Sequence, residues 1–285
     1  MEFPEGPAFD GRDGIALSNC TGDYISRITL SGRYEKRWIT SESTGPGGFR
    51  RTNGMTFDRA GNLWVCDFEK AAIVRISPDR KAEVIADTCS GERLKGPNDL
   101  AFDRAGNLYF TDPGGSSREN PVGSVYRLDA RTRGVSRLAT GFAFPNGIAF
   151  SPDARHLYVC ESQHNRVLRF TVNRDGTLGQ QQNFCDLKSA GEGQPDGMAV
   201  DTKGNLWITH YGAHQVVIAD SAGSILETIR LPHKKDQGPT NIEFAGKDLK
   251  TVYITDPGDD CTWKLTSRVA GLRLLNAPNP VETMR

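Results

Sequence analysis

The sequence has no surplus of charge: 35 lysines and arginines stand against 35 aspartates and glutamates. Like charges are not gathered into long blocks either, which argues against nucleic acid or an anionic membrane surface as the main partner. No stretch approaches the roughly 18 consecutive apolar residues of a transmembrane helix. The opening MEFPEGPAFD lacks the apolar segment of a secretory signal, so a soluble, cytoplasmic protein without membrane association is expected. There is no C-x-x-C among the six cysteines and no histidine at zinc-ligand spacing from them, which speaks against structural zinc. A disulfide framework is equally unsupported, and helical periodicity is not visible. What the chain does have is 31 glycines and 15 prolines, dispersed along its length, the mark of many turns and few long helices.

It also has a repeat. The segments DRAGNLWVCD (58–67), DRAGNLYFTD (103–112), SPDARHLYVCE (151–161), DTKGNLWITH (201–210) and AGKDLKTVYITD (245–256) are variants of one pattern, with a weaker first copy at FDGRDGIALSNC (9–20). Cys66, Thr111, Cys160, Thr209 and Thr255 share one phase, at steps of 45, 49, 49 and 46 residues. Six copies occupy residues 1–285 as a single domain and leave no room for a second. Each copy reads as four short strands, with a D-x-x-G-N turn joining the first two and alternating apolar and polar residues along them. The expected fold is all-β, a six-bladed β-propeller with four-stranded antiparallel blades around a central channel. CTWKLTS and GLRLL would complete the sixth sheet, with residues 2–7 meeting the C-terminal segment to close the ring. Cys66 and Cys160, standing where other copies have Thr, are expected to be reduced, packed thiols.

In a propeller the inner strands run the same way along the axis, so one repeat phase converges on one end of the channel. Ahead of the inner strands the sequence reads PEGPAF, TNGMTF, PNDLAF, PNGIAF, PDGMAV and TNIEF, placing Glu5, Asn53, Asn98, Asn146, Asp196 and Asn241 at one phase. Asn-Gly and Asp-Gly are turn formers, which accounts for Asn53, Asn146 and Asp196 singly. It does not account for Glu5, or for Asn98, which precedes Asp99. Two facing carboxylates need a counter-charge, and no Lys or Arg recurs at this phase. One divalent cation would neutralise Glu5 and Asp196. Carboxylate and amide oxygens suit Ca²⁺ first, then Mg²⁺ or Mn²⁺, with Zn²⁺ or Fe²⁺ admissible by geometry. Three or four neighbours would hold the ion; the others, Asn53 and Asn241 among them, would serve water or substrate.

These residues resemble the SMP-30/gluconolactonase/luciferin-regenerating-enzyme family over essentially the whole chain, most specifically in PEG (4–6), GPNDLAFD (96–103), FPNGIAFSPD (144–153), QPDGMAVD (194–201) and GPTNIEF (238–244). The resemblance implies a metal-dependent enzyme of the lactonase type, a carboxylic ester hydrolase acting on a small-molecule lactone. It places Glu5, Asn146 and Asp196 on metal ligands, and Asn98 on a residue that ligates the metal or holds a bound water or substrate. It makes Asp196 the candidate general base. One departure stands out: sugar lactonases of the family often carry Arg two residues before the third-blade Asn, and here that place is Gly96. Lys95, Arg51 or a histidine would have to compensate.

His210 and Tyr211 follow the second strand of blade five, where they would line the pocket or relay a proton, or else form part of a surface loop. Asp99 would support Asn98, hold a second cation, or bond one blade to the next. Asp67, Asp112, Glu161 and Asp256 share the phase of His210 and are expected to be strand-end acids that accept backbone amides. Two alternatives remain beside the lactonase: a phosphotriester hydrolase on the same ring, and a non-catalytic propeller scaffold. A scaffold has no reason to place two carboxylates and four amides around its axis. Neutral net charge is compatible with a monomer or a weak homo-oligomer.

Overall fold

The D-x-x-G-N signature sets the hairpins. In a computed structural model, which describes residues 1–233 and 237–278, the Asp58 carboxylate accepts the backbone amides of Ala60 and Asn62 at 2.9 Å each, and also the Asn62 side chain and the Trp64 indole. Asp103 and Asp201 do the same in their own copies. The glycines between, Gly61, Gly106 and Gly204, take φ of 82°, 86° and 81°, where a side chain would be strained. One sequence device therefore makes three equivalent turns between first and second strands.

The strands these turns join form six antiparallel sheets arranged as the blades of a propeller. The inner strands are Pro4–Phe9, Thr52–Phe57, Leu100–Phe102, Pro145–Phe150, Gln194–Val200 and Asn241–Ala245, and each touches the next around the ring, the last returning to the first. Blades are held together by apolar residues facing across them. Ile25 and Ile39 of the first pack with Val65 and Val74 of the second, and Cys160 and Val167 of the fourth with Ile208 and Val217 of the fifth. Such interdigitation is the main favourable term in a fold without long helices. Among the described residues helix is confined to three single turns, Glu42–Thr44, Ser162–His164 and Lys188–Ala190. Among the described residues no helix is long and apolar enough to cross a membrane.

The sixth blade differs from the sequence expectation. Among the described residues it has three strands, Asn241–Ala245, Thr251–Asp256 and Cys261–Thr266, and GLRLL is not the fourth. Instead Gly271 bridges Asp201, the Leu272 amide donates to the Val200 carbonyl at 2.7 Å, and Leu272 and Leu275 pack beneath neighbouring blades. Its leucines find more apolar surface under the channel than on an outer edge, so this segment forms the channel floor. Among the described residues ring closure likewise involves no strand exchange. Ile15 and Leu17 of blade one pack on Ala245 and Tyr253 of blade six, and the Thr240 hydroxyl donates to the Pro4 carbonyl at 3.0 Å.

Five of the six cysteines are buried, Cys66 and Cys160 completely, and no disulfide forms. Burial pushes the thiols of Cys20, Cys66 and Cys160 well above the ordinary range, which suppresses the reactive thiolate. Brief alkylation of the native protein is expected to mark Cys261 first. Mass spectrometry finding Cys66 or Cys160 modified as fast would contradict this packing.

Candidate active site

Each inner strand begins with the same six-residue pattern, and its third position explains how the ring is built. A Cβ on Gly6, Gly54, Gly147 or Gly197 would collide with backbone or side-chain atoms of the following blade's inner strand. Glycine is there because two backbones approach closely, more than because a turn is needed. Hydroxyls tie most blades to the next at this level; blade two has Cys66 in place of the donor. Thr111 donates to the Asn146 carbonyl at 2.7 Å, Ser162 to Pro195 at 2.6 Å and Thr209 to Thr240 at 2.7 Å, with Ser18 donating likewise to Asn53.

These bonds correct one position. The amide of Gly54 donates to the Asn98 carbonyl, and the amide of Gly197 donates to the carbonyl of Thr240, not of Asn241. Asn241 sits where Asp99 sits: their backbone amides donate to Oγ1 of Thr255 and Thr111 respectively, and each side chain accepts the amide of the next residue. The ring is therefore Glu5, Asn53, Asn98, Asn146, Asp196 and Thr240, with Asp99 and Asn241 one layer deeper in the channel. P-T-N-I-E-F and P-N-G-I-A-F are equally long, so the string is compatible with this register, but the closing of the ring is what fixes it.

Strand-end residues fix the approach to the ring. The Asn19 side chain accepts the amide of Glu2 at 3.0 Å, Asp67 that of Arg50 at 2.7 Å, Asp112 that of Lys95 at 2.8 Å and Glu161 that of Ala143 at 2.9 Å, each three residues ahead of a ring member. His210 is the fifth member of this series. It is fully buried, bonds the backbone of Gly193, and has its two ring nitrogens 2.8 Å from Asn165 Oδ1 and 3.0 Å from Gln215 Nε2. It braces the chain before Asp196 and does not line the pocket. Tyr211, beside it, remains near the ring, for the Asp196 charge is felt at its phenol after burial.

Burial lowers the His210 pKa to about 4. The unfolded chain, with an ordinary value near 6.5, then binds more protons between those limits, so this residue's contribution is lost as pH falls from about 6.5 to about 4, by up to about 3 kcal/mol. The stability advantage of wild type over His210→Gln is expected to shrink across that window in thermal melts. A gap independent of pH would show that the imidazole is not held neutral.

The ring and the layer beneath carry four acids: Glu5, Asp99 and Glu243 are buried and Asp196 is half-buried. Burial, then the charge of Asp99, raises Glu5 to about 7 against the pull of the Gly6 amide, Asn241 and Thr240. Burial, then Glu5 and Asp99, pushes Asp196 well above the carboxylate range, opposed by a hydrogen bond from Asn146. Burial raises Asp99 to about 6 and Glu243 to about 8. The Asn241 side chain bonds both Glu5 and Asp99, bridging two acids that repel. Glu243 escaped the sequence reading because its phase elsewhere holds Thr56, Ala101, Ala149 and Ala199.

Asn98 Oδ1 is buried without a hydrogen-bond partner among the described residues. An orphaned acceptor beside facing acids is costly unless a cation or water meets it. Among the described residues no three His, Cys, Asp or Glu side chains group around a metal position. An ion at the ring would therefore take amide oxygens as well as the two carboxylates, and the donor set is all-oxygen, as hard divalent cations require.

The model of the family described as SMP-30/Gluconolactonase/LRE-like region matches residues 3–257. A 6-deoxy-6-sulfogluconolactonase from Pseudomonas putida is 30% identical over 173 residues, 59% of this chain and 58% of that protein. The chain spans about half the length of the curated relatives it matches first. Among solved structures, a gluconolactonase from Xanthomonas campestris is 29% identical with a TM-score of 0.79, over 93% of this chain and 86% of that one. Regucalcin from Agrobacterium tumefaciens, a calcium-binding protein, shares the fold at 21% identity and a TM-score of 0.78, over 98% and 94%.

Proposed function

The chain belongs to the SMP-30/gluconolactonase/LRE-like family, and from that premise we propose that it is a divalent-cation-dependent lactonase opening a cyclic ester at the channel mouth. The observation that carries the metal requirement is the orphaned Asn98 Oδ1 on the same ring as two acids, Glu5 and Asp196, whose pKa values are both raised, Asp196 by the charge of Glu5 among its causes and both by that of Asp99. Glu5, Asn146 and Asp196 would hold the cation, with Asn98 as fourth donor; Ca²⁺ suits this set best. When bound, such an ion polarises an ester carbonyl and acidifies water.

The chain's own residues do the rest. Asn146 donates to Asp196 and fixes the orientation of its carboxylate. The free Asp196 oxygen accepts the proton of the attacking water and returns it to the leaving alkoxide, which becomes the hydroxyl of the hydroxy-acid product. Asn98, on blade three, orients water or the substrate carbonyl. Asn241, by bridging Glu5 and Asp99, keeps Glu5 directed at the ring.

The reading is tested by elemental analysis of the purified protein, followed by a pH-indicator screen of γ- and δ-lactones with and without chelator. Acid release that stops on chelation and returns with calcium is expected. A chromogenic phosphotriester run in parallel separates the two hydrolase classes. A protein that takes up no divalent cation and opens no lactone would refute the proposal.

A further inference from the structure

Below the ring the inner strands turn to small residues, which opens space on the axis. The first tier down is glycine on four blades, with Asp99 on blade three and Asn241 on blade six. The next, three residues after each ring member, is Thr56, Ala101, Ala149, Ala199 and Glu243 on blades two to six. These five, with Asp99 and Asn241 above them, line one cavity of about 70 Å³. Inner strands of all six blades contribute to its wall, and residues 272–277 close it below. At roughly 10–15 Å³ for each atom the size of a water, the chamber takes about five.

Glu243 is the one long side chain in its tier. It is only 9% exposed, its Oε1 accepts the Phe244 amide at 2.9 Å, and no other hydrogen bond reaches its carboxyl group among the described residues. Burial and the charge of Asp99 raise it to about 8, with no cation acting against them. Arg273 lines the floor, but it is exposed and donates to the Pro278 carbonyl. A buried acid with an oxygen that receives no donor costs free energy, which a donor entering the chamber would recover. We propose that this chamber is a second binding site, separate from the ring and independent of the lactonase reading, that takes a primary ammonium group carried on a short alkyl chain.

The chemistry of the wall decides the class. Its polar groups, the carboxyls of Glu243 and Asp99, the Thr56 hydroxyl and the Asn241 amide, are rich in acceptors, and an ammonium brings three donors. An anion would meet two acids. A divalent cation asks for about six to eight oxygens, whereas alanine stands at three of the five places in the Glu243 tier. A neutral hydrocarbon would fill the space and leave Glu243 without a donor. The alkyl chain, about three or four carbons long in this volume, lies against Ala101, Ala149, Ala199 and Leu272, where it gains apolar burial.

The test titrates n-propylammonium chloride into the full chain by calorimetry, with the thermal midpoint followed alongside, once in excess calcium and once in chelator. Wild type is expected to bind it equally in both, since the ring takes no part. Propylammonium and butylammonium should bind more tightly than methylammonium, which underfills the chamber, and hexylammonium, which overfills it. Glu243→Gln should weaken propylammonium by about 10- to 100-fold, the loss of a charge-assisted hydrogen bond, and keep its response to calcium. Ala149→Leu, which fills the chamber and leaves Glu243 in place, should abolish binding; where that variant does not fold, the chain-length series in wild type makes the same comparison. Equal binding of potassium chloride or n-propanol would overturn the proposal, as would undiminished binding in Glu243→Gln. Displacement of propylammonium by calcium would overturn it too, because the ammonium would then sit on the ring acids.

Discussion

Replacing Asp196 with asparagine is expected to lower the rate of lactone opening by roughly 10²-fold or more while a divalent cation stays bound. Asparagine keeps an oxygen of the same reach at the ring but cannot take a proton from water. Asp196 is the acid that Asn146 bonds, and burial with the charges of Glu5 and Asp99 raises its affinity for a proton. Removing it from that cluster also relieves repulsion, so Asp196→Asn is expected to fold and to melt no lower than wild type in the absence of metal. The measurements are single-substrate kinetics on the best lactone, with bound metal quantified in the same sample. Near-normal turnover with metal present would transfer the base role away from this residue.

Removing the cation is expected to cost as much, and it has a readout independent of activity. Glu5 is buried and Asp196 half-buried on the same ring; burial raises both, Glu5 adds to Asp196, and Asp99 adds to both. A cation that binds only the folded state stabilises it by mass action, so calcium at a hundred times its Kd should raise the thermal midpoint by on the order of 5 °C. Chelation should reverse that shift and lower turnover by roughly 10²-fold or more, because the ester carbonyl loses several kcal/mol of polarisation. Glu5→Gln should behave differently from Asp196→Asn. It weakens neutralisation of the ion without touching the proton acceptor, so its activity should recover with excess metal and its calcium-induced shift should need higher concentrations. A midpoint indifferent to calcium and chelator would mean that the ring acids are held by protons and amides alone.

The parts of the molecule that could be read in advance are those governed by neighbouring residues. The aspartates of D-x-x-G-N bond amides two and four residues on, which is why three copies of that string made three equivalent turns. The expectation that Asp67, Asp112 and Glu161 accept backbone amides also held, although the amides they take lie 17 or 18 residues earlier, at the entry to the paired first strand. His210 occupies their phase, yet as a histidine it read as a pocket residue. Its burial and its bonds to Asn165 and Gln215 come from the packing of blade four against blade five, which leaves no trace in the local string.

Period, blade number and the convergence of Glu5, Asn98, Asn146 and Asp196 were determined by the sequence alone, because strand alternation and turn chemistry act over a few residues and repeat every 45 to 50. Only the tertiary structure decided that Thr240 completes the ring while Asn241 lies beneath it between Glu5 and Asp99, and that the GLRLL segment floors the channel. A slip of one residue in a strand turns every side chain to the other face, and spacing along the chain does not resolve such a slip. What resolves it is the closing of the ring, where the last blade must meet Pro4 across more than 200 residues and the register is fixed by which carbonyl receives which hydroxyl.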